Sequence, residues 1–231
     1  MNIYEKLRTI PWLELDFEID QNQLMHEYLH IAQDYGFVNY HTNYKLARNW
    51  YAKSWSGIGL VSSDGGFYTD LHEGDIVNNT DRFEPTLLIH SCPYMYSIIR
   101  GMNGGDLKSR CRIMRIAPRR SLIWHSHVLE HGQPENIITV QIPINMPPNF
   151  DYCVVDSEEF KWYKRLYKPS WFKSLKKGRL EPGKAYYFNS YNYHNVYNNS
   201  DEYRATIMLY LDLMNPVVYN MVMRSIARAE V

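Results

Sequence analysis

The sequence predicts a mainly β protein, a small antiparallel barrel or jelly roll with helices packed outside it. Three observations carry this. About seven short strand candidates follow Gly104-Gly105. Helical spacing of apolar residues lies before that run and again after it. Aromatic residues make up 15% of the 231 residues, including 20 Tyr and 6 Trp, a composition suited to pleated surfaces.

Taken in chain order, Leu24, Tyr28, Ile31 and Ala32 predict a helix over 21–35, with Asp20 as N-cap and Gly36 as the stop. Ile58 to Val61 reads as a short strand, followed by a turn at Ser63-Asp64-Gly65-Gly66. Cys92 to Arg100 reads as a second helix, stopped by Gly101. Strands follow over 110–116, 122–128, 138–144, 152–155, 185–188, 194–197 and 204–212. In 138–144, Ile138, Val140, Ile142 and Ile144 share one face, with Thr139 and Gln141 on the other. Val218, Met221, Val222 and Ile226 mark a closing helix. The chain reads as a single domain: a mostly helical support over 1–105, a β core over 106–215 and a C-terminal helix over 216–231.

Charge and motifs exclude several function classes. Lys+Arg is 25 and Asp+Glu is 25, so the surface as a whole is not tuned to nucleic acid or anionic lipid. No apolar run approaches the ~20 residues that cross a bilayer. Glu5, Glu14, Asp16 and Glu18 interrupt the N-terminal stretch where a secretion signal needs an apolar core, so the expected location is cytoplasmic. Cys92, Cys111 and Cys153 lack metal or disulfide spacing and are expected to be buried, reduced thiols. Residues 101–109 lack contiguous Walker spacing, and no dinucleotide fingerprint, serine-hydrolase elbow or zinc-protease helix occurs.

The chemistry concentrates on histidine. Trp124-His125-Ser126-His127 falls on a predicted strand, where positions i and i+2 share a face. His125 and His127 can then point into a barrel together. His194, on a later strand after the Pro182-Gly183 turn signal, can close on them. Imidazoles converging in this way suit Fe(II), Zn(II), Cu(II) or Ni(II) with open coordination positions. Asn198-Asn199-Ser200-Asp201 is strong turn chemistry. A hairpin centred on Asn199 would set His194 across from Arg204. A buried guanidinium calls for a carboxylate, and no acidic residue nearby supplies one, so the partner is expected to be a small carboxylate ligand.

These residues resemble the aspartyl/asparaginyl β-hydroxylase family. The resemblance lies in Pro118 seven residues before His125, then Pro182-Gly183, Phe188, His194, Val196, and Arg204 ten residues after His194. The segment from Met114-Arg115 through Trp124, the helix opening at Cys92-Pro93 and the run from Arg204 to Asp212 before Pro216 are also similar. It spans roughly Cys92 to Pro216. The resemblance implies a double-stranded β-helix and an Fe(II)- and 2-oxoglutarate-dependent dioxygenase. His125 and His194 would be iron ligands and Arg204 would hold the distal carboxylate of 2-oxoglutarate. Oxidative decarboxylation to succinate would drive hydroxylation of a C–H bond on an Asp or Asn residue of a peptide, or on a related small acid.

The sequence departs from that pattern in two places. His127 stands where most oxygenases of the fold carry an acid, so it is a candidate third ligand, or the first ligand in place of His125. On the strand after the first histidine the family has a further basic position, whereas Ile138-Thr139-Val140-Gln141 is uncharged. A broader cupin pattern is also similar: His125-x-His127, Glu130, and His194 followed by Asn198. It implies a three-histidine metalloenzyme, dioxygenase or isomerase, independent of 2-oxoglutarate. A third reading is a non-catalytic barrel binding an acidic ligand.

Residues 161–179 contain Lys161, Lys164, Arg165, Lys168, Lys173, Lys176, Lys177 and Arg179 and no acid, interleaved with Trp162, Tyr163, Tyr167, Trp171 and Phe172. The segment reads as an insertion over the barrel mouth that draws in an acidic peptide or small acid; a nucleic-acid strand is the less favoured partner. Arg110, Arg112, Arg115, Arg119 and Arg120 would extend that positive face.

Overall fold

A computed structural model describes residues 2–39, 53–69, 83–105, 107, 110–126, 136–157, 159–160 and 173–230. Two antiparallel sheets face each other. The larger takes β1 (Trp12–Glu14), β2 (Val38–Asn39), β3 (Trp55–Ser62), β5 (Cys111–Ile116), β7 (Ile137–Asn145), β10 (Tyr186–Phe188) and β12 (Arg204–Asp212) in the order β1-β10-β7-β12-β5-β3-β2, with β4 (Glu84–Pro85) also paired to β3. The smaller runs β6 (Arg120–Ser121), β11 (Tyr193–Asn198), β8 (Phe150–Val155), β9 (Lys176–Gly178). Helices α1 (Ile3–Thr9), α2 (Gln21–Asp34), α3 (Pro93–Met102) and α4 (Pro216–Ala229) complete the described elements, with a short 3-10 turn at Leu87–His90.

The two-residue period of the strands builds two apolar layers. Outward, Ile138, Val140, Ile142 and Ile144 of β7 join Ala205, Ile207, Leu209 and Leu211 of β12 under Leu24, Ile31, Met95, Ile99, Val218 and Val222 of the helices. Each such buried aliphatic side chain contributes about 1.5–3 kcal/mol. Inward, Trp55, Met114, Ile116, Phe188, Met208 and Tyr210 meet Phe150, Tyr152, Val154 and Val196 of the smaller sheet. The apolar face of β7 is therefore the one the helices cover. Its polar face, Thr139 and Gln141, is buried between the sheets.

Local chemistry sets the helix ends. Asp20 caps α2 by accepting from the N–H groups of Asn22 (2.9 Å) and Gln23 (3.2 Å). The helix stops at Asp34 with Tyr35 extended, one residue before the predicted Gly36. Glu27 of α2 caps α3, its two carboxylate oxygens accepting from Tyr94 N–H (2.7 Å) and Met95 N–H (2.8 Å). That helix overruns the predicted stop at Gly101 and ends before Gly104 and Gly105, at φ +65° and +98°. Gly183 (φ +77°) forms the predicted turn before β10. Gly178 admits the Trp12 ring, since a Cβ there would stand 2.3 Å from Trp12 Cζ2, so the smaller sheet's edge docks against β1.

Three expectations change. The first 105 residues are less helical than read, because β1 to β4 already belong to the large sheet and all of β3 is buried against β5. The predicted strand 122–128 is not continuous: β6 ends at Ser121, and the described chain returns to the ladder at a single bridge at His125. The Ile123 carbonyl is taken by the His125 side chain. Residues 127–135 lie outside the described residues. Finally, β11 and β12 do not form a hairpin. Strand β11 pairs with β8 and β6, while β12 pairs with β5 and β7, so the Asn198–Asp201 turn carries the chain from one sheet to the other.

Candidate active site

His194, near the start of β11, and His125, just after β6, meet in that single antiparallel bridge. The His125 N–H donates to the His194 carbonyl (3.1 Å), and the His194 N–H donates to the His125 carbonyl (2.8 Å). Their ring centroids are 4.3 Å apart, with the planes inclined at 54°. Each Nδ1 lies beside the carbonyl two residues earlier, Ile123 O at 2.8 Å and Asn192 O at 2.9 Å. A carbonyl only accepts, so both rings carry hydrogen on Nδ1 and, when neutral, a lone pair on Nε2. Such a backbone bond is what fixes the tautomer of a metal-binding histidine. Phe188 stands edge-on to the buried His194 at 5.1 Å, and Trp55 lies 6.4 Å from His125.

The residues preceding each histidine share one support. Phe160 stacks on Tyr193 at 3.9 Å and lies 5.7 Å from Trp124. The aromatic neighbours thus hold the two histidine-bearing segments together from outside the small sheet, and Trp124 is a packing residue.

Arg204 opens β12 on the inner face of the opposite sheet, 4% exposed. It faces the histidines across the barrel instead of sitting beside His194 in a hairpin. Its Nη2 donates to Gln141 Oε1 at 2.8 Å, and its guanidinium carbon lies 5.2 Å from the Phe150 ring and 5.1 Å from the Tyr152 ring. Among the described residues its buried Nε has no hydrogen-bond partner and no carboxylate pairs with it. Burial pulls its pKa from the usual 12.5 down to about 9, which leaves it charged at neutral pH.

A partly open cavity brings these groups together. The polar residues His125, His194, Arg204, Gln141, Tyr152 and Thr206 line it, with the apolar Trp55, Met114, Ile116 and Met208 among the rest. Gln141 and Tyr152 were not singled out from sequence. The signal available was the polar face of β7, which lies on the side away from the helices. The Tyr152 hydroxyl donates to the same Gln141 Oε1 that receives Arg204.

Among the described residues no group of three or more His, Cys, Asp or Glu side chains gathers as a metal site. His125 and His194 supply two imidazoles; His127, Glu130 and His131 lie outside the described residues, as do 161–172 of the basic segment. Lys176 and Lys177 are exposed on the edge strand β9. The arginines of 110–120 do not form one positive face. Arg110 and Arg112 are buried, Arg115 packs on Phe37 and Tyr203, and Arg119 pairs with Asp201 at 2.8 Å. On β5, Arg112 and Arg115 stand an odd number of residues apart and so point to opposite faces. The three cysteines are free and buried, and burial pushes the Cys92 thiol up to about 12 and Cys153 up to about 11.

No family model and no curated protein matches this sequence. Solved structures match along nearly the whole chain. A 2OG-Fe(II) oxygenase family oxidoreductase from Burkholderia pseudomallei aligns with TM-score 0.51 at 12% identity, covering 90% of this chain and 87% of that one. A prolyl hydroxylase from Trichoplax adhaerens, in complex with a hypoxia inducible factor peptide fragment, gives 0.51 at 14%, covering 92% and 89%. HygX from Streptomyces hygroscopicus, with nickel and 2-oxoglutarate bound, gives 0.51 at 9%, covering 89% and 84%. The fold is the double-stranded β-helix. The predicted fold class thus holds, a β-helix core with helices at both ends of the chain. No helix among the described residues is long and apolar enough to cross a membrane.

Proposed function

We propose that the protein is an Fe(II)- and 2-oxoglutarate-dependent dioxygenase that hydroxylates a C–H bond. Its substrate is an Asp or Asn residue in a peptide, or a related small acid. The observation that carries the reading is a buried guanidinium with an unbonded Nε, lining the same cavity as two histidines whose lone pairs sit on Nε2. Removing such a cation from water is costly unless an anion joins it. A carboxylate ligand is the simplest anion for a planar fork of N–H donors.

Iron and 2-oxoglutarate, when bound, would supply the oxidising chemistry and succinate as co-product. The chain's own residues do the rest. His125 and His194 would hold the metal through Nε2, oriented by the Ile123 and Asn192 carbonyls. His127 is the candidate third donor. Arg204 would hold the co-substrate's distal carboxylate. Trp55, Met114 and Met208 line the cavity with apolar surface and keep water from the reacting centre. The peptide form of the substrate is supported by analogy with the peptide-bound prolyl hydroxylase, and the basic residues of 161–179 suit an acidic partner.

Purified protein supplied with Fe(II) and 2-oxoglutarate should form succinate, and the Arg204→Ala variant should not. Succinate formation unaffected by Arg204→Ala would overturn the reading. Turnover of a substrate without 2-oxoglutarate, with metal lost on His127→Ala, would favour the three-histidine cupin alternative.

A further inference from the structure

Gln141 has a role the buried arginine does not exhaust. A guanidinium only donates, so the side-chain atom 2.8 Å from Arg204 Nη2 must be the amide oxygen. The Tyr152 hydroxyl donates to the same oxygen. Two donors from two sheets therefore fix which way the amide points. Its Nε2 hydrogens are left on the other side of the group, and among the described residues no acceptor for them is recorded. Gln141 is 8% exposed, and both it and Arg204 line the cavity. The Arg204 Nε is buried and has no hydrogen-bond partner among the described residues.

We infer that Gln141 is a ligand-binding residue: its side-chain NH2, with the Arg204 guanidinium, forms a two-sided clamp for one carboxylate of the bound acid. The naming of that acid as 2-oxoglutarate rests on the function proposed above; the clamp rests on the geometry. Both arms are planar nitrogen donors, and a carboxylate has two oxygens in one plane to meet them. The amide adds a donor without adding charge. The clamp thus matches one negative charge with one positive charge, and the second carboxylate of a dicarboxylic acid remains for the histidine end of the cavity. Tyr152 is a positioning residue, since it acts by holding the amide oxygen.

The test uses the full-length protein and two probes, 2-oxoglutarate and glutarate, titrated by calorimetry into wild type, Gln141→Glu and Gln141→Met. Glutamate keeps an acceptor for Tyr152 and Arg204 but offers no N–H, and its charge competes with the ligand. Methionine removes donor and acceptor together. Both variants should weaken binding by about 10- to 100-fold, the size of a lost hydrogen bond to a charged group. Their melting curves should still show one cooperative transition. A purely supporting role is separated by NMR. The side-chain NH2 pair that disappears in Gln141→Met should shift when either probe is added to the wild type, and a supporting amide would not move. If 2-oxoglutarate binds wild type and both variants equally, the clamp is wrong while the co-substrate reading survives. If glutarate binds and depends on Gln141 but 2-oxoglutarate is not preferred, the clamp stands and the co-substrate reading falls. Binding of neither probe to wild type overturns both.

Discussion

His125 and His194 are bridged backbone to backbone, each donating its N–H to the other's carbonyl at 3.1 and 2.8 Å. The bridge needs no side chain, so the imidazoles can be removed while the chain stays paired. On the proposed function, His125→Ala and His194→Ala should each fold and lose more than about 100-fold in Fe(II) or Ni(II) affinity, beyond the 10- to 100-fold typical of an outer-shell change. Calorimetric titration of metal measures this, with far-UV circular dichroism as the folding control. Unchanged affinity in both variants would remove the histidine pair from the metal site.

Arg204 is buried against the interest of the fold. Burial lowers its pKa, so the charged form is disfavoured where it stands. Arg204→Met, which keeps length and apolar contact with Phe150 and Tyr152, should therefore raise stability by about 1–4 kcal/mol, as when buried charges are replaced by packed apolar groups. On the proposed function it should also abolish binding of 2-oxoglutarate. Denaturant unfolding and calorimetry report the two effects separately. A less stable variant would mean that the guanidinium supports the core more than it burdens it.

Strand β12 was legible to both ends, because a β-rich run lies between a turn sequence and Pro216. The alternation of β7 was equally plain, yet alternation does not say which face meets the helices. Only the packing of Leu24, Met95 and Val218 on the apolar face puts Gln141 in the cavity. Strand pairing was the weakest inference. The Asn198–Asp201 turn reads like a hairpin loop, and nothing local distinguishes a hairpin from a crossing between sheets. The three-residue strands β1 and β9 were not read, whereas the equally short β10 was legible from its aromatic run after the Pro182-Gly183 turn signal.

Acid should loosen the junctions that carboxylates hold. The Gln23 backbone N–H, and then that of Asn22, keep the Asp20 carboxyl below its usual pKa, and Arg224 does the same for Asp16. A carboxyl lowered in the folded state contributes stability above its unfolded value, near 4, and loses it as pH falls through the lowered folded value. The melting temperature should thus be flat on this account from neutral pH down to about 5 and fall below about 4. Asp20→Asn keeps a capping oxygen without a titrating proton, so its melting temperature should fall less steeply in that range. An identical acid limb in wild type and variant would exclude Asp20 from the transition.

Asn198 is the joint between the two sheets, and so between His194 and Arg204. It is fully buried, and its Nδ2 lies within hydrogen-bond distance of the carbonyls of Ile116 (3.2 Å), Ala117 (3.1 Å) and Glu202 (2.8 Å). Its Oδ1 accepts from the Ser200 N–H and hydroxyl. Asn198→Ala strands several buried groups at once and should cost about 2–4 kcal/mol, or roughly 5–15 °C in melting temperature for a chain of this size. The exposed Arg119–Asp201 pair spans the same turn at 2.8 Å, but solvent screens it, and Arg119→Ala should leave the melting temperature nearly unchanged. Because the joint sets the separation of the histidine and arginine walls, on the proposed function Asn198→Ala should also weaken 2-oxoglutarate binding at temperatures where the protein is still folded. Arg119→Ala should leave that binding within about twofold, as its contacts lie on the surface. Equal losses in the two variants would show that the turn is held by its surface ion pair and not by the buried amide.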